Sequence, residues 1–347
     1  MIPAHPNRRY NSQSCAAAFL LFTACWWSAA NADVGGCAIF PPDNIWNTPI
    51  DTIDVDPRSD DYIDAQGGPD VSLHPDFGTV YQGAPIGIPY VPVPANQPLV
   101  PIVLTPYGDE ADPGPYPVPP NAPVEGGRQS NGDRHVLVLQ RGVCTLYEMY
   151  RAFPLAGGAA WRGFGATFDL DVNGPLRPDG YTSADAAGLP ILPGLVKYNE
   201  VAAALQSDGV IHHALRFTVP NTRDEHIWPA RHSASDSSDP NRPPMGVRFR
   251  MKASVNVQTY PGTNTPVSPA NKVILRTLKT YGMFLADNGS AWYISGAPDS
   301  RWDDDDLHLL SNYSAGDFEA VDESGLMVDP DSGQAVQPNV DRNGNLL

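Results

Sequence analysis

Basic residues are scarce in this chain: 22 Lys and Arg stand against 39 Asp and Glu among 347 residues, a formal net charge of −17. That balance repels phosphate backbones and anionic headgroups alike, which argues against nucleic acid as a partner. Cysteine is rarer still, at four. The motifs that would settle a mechanism are missing. There is no Gly-x-Ser-x-Gly elbow, no Ser-x-x-Lys, no His-Glu-x-x-His, no Cys-x-x-Cys and no glycine-rich loop after a strand. Serine hydrolase, zinc protease and nucleotide-dependent readings fall with them. No repeat recurs at a fixed period, which argues against propellers and solenoids.

What the chain does have is turn-forming backbone: 37 prolines and 31 glycines, with 41% hydrophobic and 18% charged residues. Such a composition favours short strands and ordered loops over long helices. Arg8 and Arg9 precede an apolar run from Cys15 to Trp27, and Ala30-Asn31-Ala32 follows with small residues at the positions a signal peptidase reads. The run is shorter than the ~20 apolar residues of a spanning helix, so residues 1–32 are read as a signal peptide and the protein as secreted, extracellular or periplasmic, with no membrane contact after cleavage. Removing the leader takes Cys15 and Cys25 with it and leaves 20 basic against 39 acidic residues. Cys37 and Cys144 are then the mature chain's only cysteines, and an oxidising exterior predicts one disulfide between them.

Between Ala84 and Pro123 lie thirteen prolines. Interleaved with them are Ile86, Ile88, Tyr90, Val91, Val93, Leu99, Val100, Ile102, Val103 and Leu104, enough apolar surface to predict ordered extended segments along a sheet edge. Strands are expected at His135–Leu139 and Cys144–Tyr150 around a turn at Gln140–Val143, then over Ala166–Leu170, His213–Val219, Val247–Val257, Met283–Ala286 and Ala291–Ser295. Ser268 before Pro269, apolar Val273, Ile274, Leu278 and Tyr281, and the stop at Gly282 mark one good helix. Weaker helical signals start near Ser183, Tyr198 and Asp303. The expected architecture is mainly β, an antiparallel sandwich or jelly-roll-like domain over residues 33–328 with long Pro/Gly-rich loops and few short helices. An acidic and polar tail would follow from Asp329 to Leu347.

With the nucleophile signatures gone, the remaining chemistry lies in carboxylates, histidines, arginines and tryptophans between Trp161 and Asp306. Hydrolysis or elimination on a sugar chain uses such parts: a protonated acid, a base, and aromatic faces for sugar C–H surfaces. Asp185, in the small-residue stretch Thr182 to Pro190, is a candidate catalytic acid, with a helix N-terminal carboxylate as the competing role. Asp287, delivered at a strand end before Asn288-Gly289, is a second, with a plain hairpin acid as its competitor. His232 completes the catalytic set. Trp161, Trp228, Arg231, His213 and Trp302 are the candidate substrate contacts, although alternation points His213 inward, where a core histidine is the plainer outcome. The run Asp303-Asp304-Asp305-Asp306 suits either a structural calcium ion or the start of a helix, and the helix fits better because cation ligands usually alternate. Asp169 to Gly174 matches the opening of a calcium loop, but Gly180 stands where its closing Glu belongs. No other metal or cofactor is indicated.

The segments Trp228 to His232, Pro243 to Ala253, Tyr281 to Gly289 and Arg301 to Leu307 resemble a group of secreted bacterial proteins that have no established reaction. The resemblance implies secretion and a single integral domain, and no catalytic role. The expected function is a secreted carbohydrate-active protein, a polysaccharide hydrolase or lyase, with a polysaccharide or cell-surface glycan as partner. The alternative is a non-catalytic module that binds glycans or another surface partner.

Overall fold

The computed structural model describes Met1 and residues 33–105 and 107–338. The expected leader, beyond its first residue, and residues 339–347 of the expected tail lie outside these described residues. Eleven strands form the two larger sheets. In chain order they are β1 (His74–Asp76), β2 (Tyr90–Val93), β3 (Ile102–Leu104), β4 (Val136–Gln140), β5 (Thr145–Leu155), β6 (Ala160–Asp169), β7 (Leu215–Val219), β8 (Arg248–Met251), β9 (Met283–Asn288), β10 (Tyr293–Ser295) and β11 (Phe318–Val321). The first sheet has the order β2-β4-β5-β6-β3 and the second β11-β8-β9-β7-β10-β1. Neither closes on itself.

The β4–β5 hairpin forms where the apolar runs predict it, turning through Gly142 and Cys144, both at positive φ. The expectation of mainly antiparallel sheets holds in part. Four of the nine pairings in the two sheets are parallel: β2 with β4, β3 with β6, β7 with β9, and β1 with β10. Alternation along a strand reports which face is buried and is silent on the direction of the neighbour, so this mixture was not legible in the pattern.

The proline-rich stretch is ordered. It supplies both edge strands of the first sheet, β2 and β3, where a proline such as Pro92 removes no needed ladder bond. Farther on it lays Tyr116, Val118, Ala122 and Val124 over Val136, Val138, Met149 and Trp161 to make a second, smaller core. The opposite face of that sheet, through Leu137, Leu139 and Leu146, belongs to the main core shared with the second sheet. Helix α1 (Ser59–Ala65), α2 (Tyr198–Ala204), α3 (Pro269–Thr280) and α4 (Asp304–His308) are the α-helices among the described residues. In α3 the Ser268 side chain caps the Asn271 N–H, Pro269 opens the helix, and Gly282 takes positive φ just past its end, as the residue types require. No helix forms at Ser183.

That stretch is instead the most constrained piece of the fold. From Ser183 to Val196 every residue but Ala186 is buried, yet none joins a strand or an α-helix. Its backbone polar groups must therefore find partners elsewhere. Glu148 on β5 accepts the N–H of Ile191 at 2.8 Å and of Leu192 at 2.8 Å. His135, just before β4, donates through Nε2 to the Ala184 carbonyl at 3.0 Å. From the second sheet, the carbonyls of Ala286 and Ser295 take the N–H groups of Ala187 and Val196. The stretch is thus tied to both sheets.

Residues 329–338, expected as tail, contribute to the domain. Ala335 is buried, and Gly333 accepts the Ile45 N–H at 2.8 Å. The Cys37–Cys144 disulfide is formed, with Cα atoms 5.4 Å apart, and fastens the first described segment to the β4–β5 turn. It fits an oxidising environment. Among the described residues no helix is long and apolar enough to cross a membrane.

Two stability outcomes follow. Replacing both Cys37 and Cys144 by Ala should lower the unfolding free energy by about 2–5 kcal/mol in denaturant titration, and the denatured, unreduced parent should show no reactive thiol. Glu148→Ala leaves two buried N–H groups without acceptors and should cost about 3 kcal/mol or more by the same measurement.

Candidate functional site

The cavity of interest, about 500 Å³, opens where the buried stretch meets the end of β9. Asp185, Asp287 and His232 all line it, together with Tyr107, Glu110, Asp133, Tyr150 and Phe164. These residues arrive by four routes, one of them the end of β9, which brings Asp287. The central stretch brings Asp185, and the first sheet and its proline-rich cover bring the tyrosines, Phe164, Glu110 and Asp133. The loop after β7 brings His232.

Asp287 reaches the cavity through a bulge. Arg216 on β7 stands opposite Phe284 on β9, but the register then shifts, so that Asp287 instead of Ala286 faces Thr218. Thr218 shares a strand face with Arg216 by the two-residue period. The extra residue thus carries Asp287 to the face that displays Arg216, which is the way bulges re-aim side chains beside sites. Arg216 itself is buried and holds Asp185 in a two-pronged pair, Nε to Oδ2 at 2.8 Å and Nη2 to Oδ1 at 2.6 Å, while Nη1 bonds the Ser295 hydroxyl. Asp185 is therefore clamped, and its oxygens are spent on the guanidinium.

Asp287 has no such partner. Its Oδ1 accepts the neighbouring Asn288 N–H at 2.7 Å. Burial, reinforced by the nearby Asp185 charge and only partly offset by Arg216, His135 and the Asn288 N–H, pushes its carboxyl up to about 8. It is protonated at neutral pH. His232 donates Nδ1–H to the Ala186 carbonyl at 2.7 Å, which orients the ring and keeps that proton on Nδ1. Among the described residues Nε2 has no hydrogen-bond partner. Behind these groups, burial opposes charge on His135, but the Glu125 carboxylate 2.7 Å away pushes it up to about 9, so a charged imidazolium holds the Ala184 carbonyl next to Asp185. Glu148 is buried and pushed up to about 7 by desolvation against the Ile191 and Leu192 N–H groups.

The other expected contacts are placed away from the cavity. Trp161 is fully buried in the second core. Trp302 is buried, edge-on to Phe77 and Tyr198, with its indole N–H on the Ala297 carbonyl. Trp228 packs on the main core and donates to the Ser332 carbonyl at 2.8 Å. Arg231 is buried against the Arg177 and Pro330 carbonyls and Asp331. His213 is a core histidine, bonded to Glu200 at 3.2 Å in a buried group with Lys197. For Trp228, Trp302, Arg231 and His213 the reason is that a large or charged side chain with hydrogen-bond partners inside adds more to folding than it would at a cavity wall, and for Trp161 it is the apolar area buried. The aromatic walls come from Tyr107, Tyr150 and Phe164, which no loop-versus-strand argument singled out.

The acidic run opens α4 as its charge favours. Asp303 caps the helix, Asp304 takes the Thr79 N–H at 2.8 Å, and Asp306 takes the Ser268 hydroxyl at 2.6 Å. Asp169 likewise bonds within its own turn, to the Asp171 N–H. Among the described residues no three His, Cys, Asp or Glu side chains converge as a cation site.

The sign of the Asp287 shift gives a testable consequence. Its folded-state pKa lies above the unfolded one, so ionisation penalises the folded protein increasingly as pH rises from about 4 toward about 8. Asp287→Asn should therefore match the parent's stability near pH 3 and exceed it progressively, by roughly 1 kcal/mol per pH unit, until a plateau above pH 8 in thermal melts across pH. Compared with known proteins, the chain matches no family model, no curated protein and no solved structure, so its chemistry is argued from this cavity.

Proposed function

We propose that the protein is a secreted carbohydrate-active enzyme, a polysaccharide hydrolase or lyase, built on a sandwich-like arrangement of its two sheets. The observation that carries the reading is a pair of groups in one cavity: a carboxyl that keeps its proton, Asp287, and an imidazole held through Nδ1 by the Ala186 carbonyl, His232, whose Nε2 has no partner among the described residues. A proton donor beside a ring nitrogen able to accept a proton is what acid–base chemistry needs. In hydrolysis Asp287 gives its proton to the leaving glycosidic oxygen while Nε2 of His232 takes one from the attacking water, whose oxygen bonds the anomeric carbon. Asp185 acts through Asp287 as a positioning residue. Clamped by Arg216, it offers no free nucleophilic oxygen, which favours single displacement over a covalent intermediate. Tyr107 and Tyr150 supply aromatic surface for sugar rings. The disulfide supports an extracellular or periplasmic setting, and the leader-like first 32 residues support export.

The test is incubation of the mature protein with a polysaccharide panel, followed by reducing ends and by the absorbance of unsaturated products. Cleavage should fall above pH about 8 as Asp287 loses its proton. Asp287→Asn and His232→Ala should each lower turnover by about a hundredfold or more with the fold intact. Unchanged turnover in both variants would refute the assignment. Tight glycan binding without any cleavage would move the protein to the binding-module reading.

A further inference from the structure

The charge of the cavity bears on which glycan it takes. Resting on the reading above, we propose that the site binds an amino-sugar glycan, with free ammonium groups on its units, and not a polyuronate.

Four carboxyl side chains line the cavity, Glu110, Asp133, Asp185 and Asp287, and no Lys or Arg side chain does. The four are not equivalent. Arg216 neutralises Asp185 from behind, and Asp287 keeps its proton. Glu110 gives one oxygen to the Thr182 N–H at 2.8 Å and keeps the other free. Asp133 is exposed, and among the described residues its carboxylate has neither a hydrogen bond nor an ion pair. Arg151, whose backbone N–H bonds the Asp133 carbonyl, is an exposed cation but does not line the cavity. Two anionic groups thus remain on a wall that also carries Tyr107 and Tyr150, whose ring faces attract cations as well.

A uronate would bring its carboxylate against these groups with no lining cation to neutralise it, and like charges brought together in a partly desolvated site repel strongly. An ammonium meets the reverse: carboxylates already present and unpaired. The same absence weighs against elimination, because removing the proton beside a uronate carboxyl builds negative charge on that carboxyl, which needs a donor or cation aimed at it. Hydrolysis builds positive charge at the anomeric carbon, which a carboxylate-lined wall favours.

The experiment is calorimetric titration of the mature protein with hexasaccharides of glucosamine, N-acetylglucosamine and galacturonic acid at low and high salt. The glucosamine hexamer should bind about tenfold more tightly than the N-acetyl hexamer at low salt, with the margin shrinking at 0.5 M salt as charges are screened. Asp133→Asn should erase most of that margin, whereas Asp305→Asn, which removes an exposed charge on α4 outside the cavity, should leave it unchanged. Equal loss in both variants would mean a diffuse attraction to the acidic surface and would overturn the proposal. Binding of the galacturonate hexamer as tight as that of glucosamine, and abolished by a Tyr150→Ala change in the wall, would overturn the substrate class while leaving the glycan site standing. Binding of none of the three would overturn both.

Discussion

Everything in this molecule turns on how an irregular stretch, Ser183 to Val196, is kept dry. A helix satisfies its own polar backbone and a strand pairs with its neighbour, whereas this stretch closes only a few bonds within itself, such as Gly194 N–H to the Ile191 carbonyl. The fold answers with ionisable groups: Glu148 on the first sheet and the Glu125–His135 pair beside it bond the stretch's backbone, and Arg216 on the second sheet bonds the Asp185 side chain. Each would be costly to bury alone. Each is tolerable because its charge or proton is matched by a fixed partner a short distance away.

The candidate site is a by-product of that arrangement. Holding the stretch from both sides places Asp185 against Arg216, and the ion pair lies in surroundings of low polarity where charge reaches far. The carboxyl of Asp287, brought beside this pair, is pushed up first by its own burial and then by the Asp185 charge. A structural solution to backbone burial thereby produces a protonated acid at a cavity wall. His232 is oriented by the same stretch, since the carbonyl that its Nδ1 bonds belongs to Ala186, the one residue of the stretch that is half-buried. Asp185 belongs to this segment and His232 is bonded to it, a segment without a strand or α-helix, and the two sheets on either side hold it in place.

Three of the candidate site residues share one cavity. Asp185, Asp287 and His232 were each open to a bland role from local sequence, yet the three do come to one cavity. The tryptophans misled. An aromatic in a loop-like context such as Trp228, or near charges such as Trp302, reads as a ligand surface, but the apolar area of an indole is worth more in a core and its N–H needs only one carbonyl. Tyr107 and Tyr150, which do line the cavity, carry no local mark of it.

The sequence by itself determined what short-range rules govern, namely the cap, proline and glycine of α3, the β4–β5 hairpin and the helix start at Asp303, and it pointed to the Cys37–Cys144 disulfide. These depend on residues within a turn or two, or on simple elimination. Tertiary structure alone decided the parallel edge strands, the bulge that turns Asp287 inward, and the pairing of Asp185 with Arg216 and of Glu148 with Ile191. Those contacts join residues 31 and 43 positions apart, across two sheets. No periodicity along one strand records them, because a side chain's partner in the interior is fixed by how the layers meet and not by its neighbours in the chain.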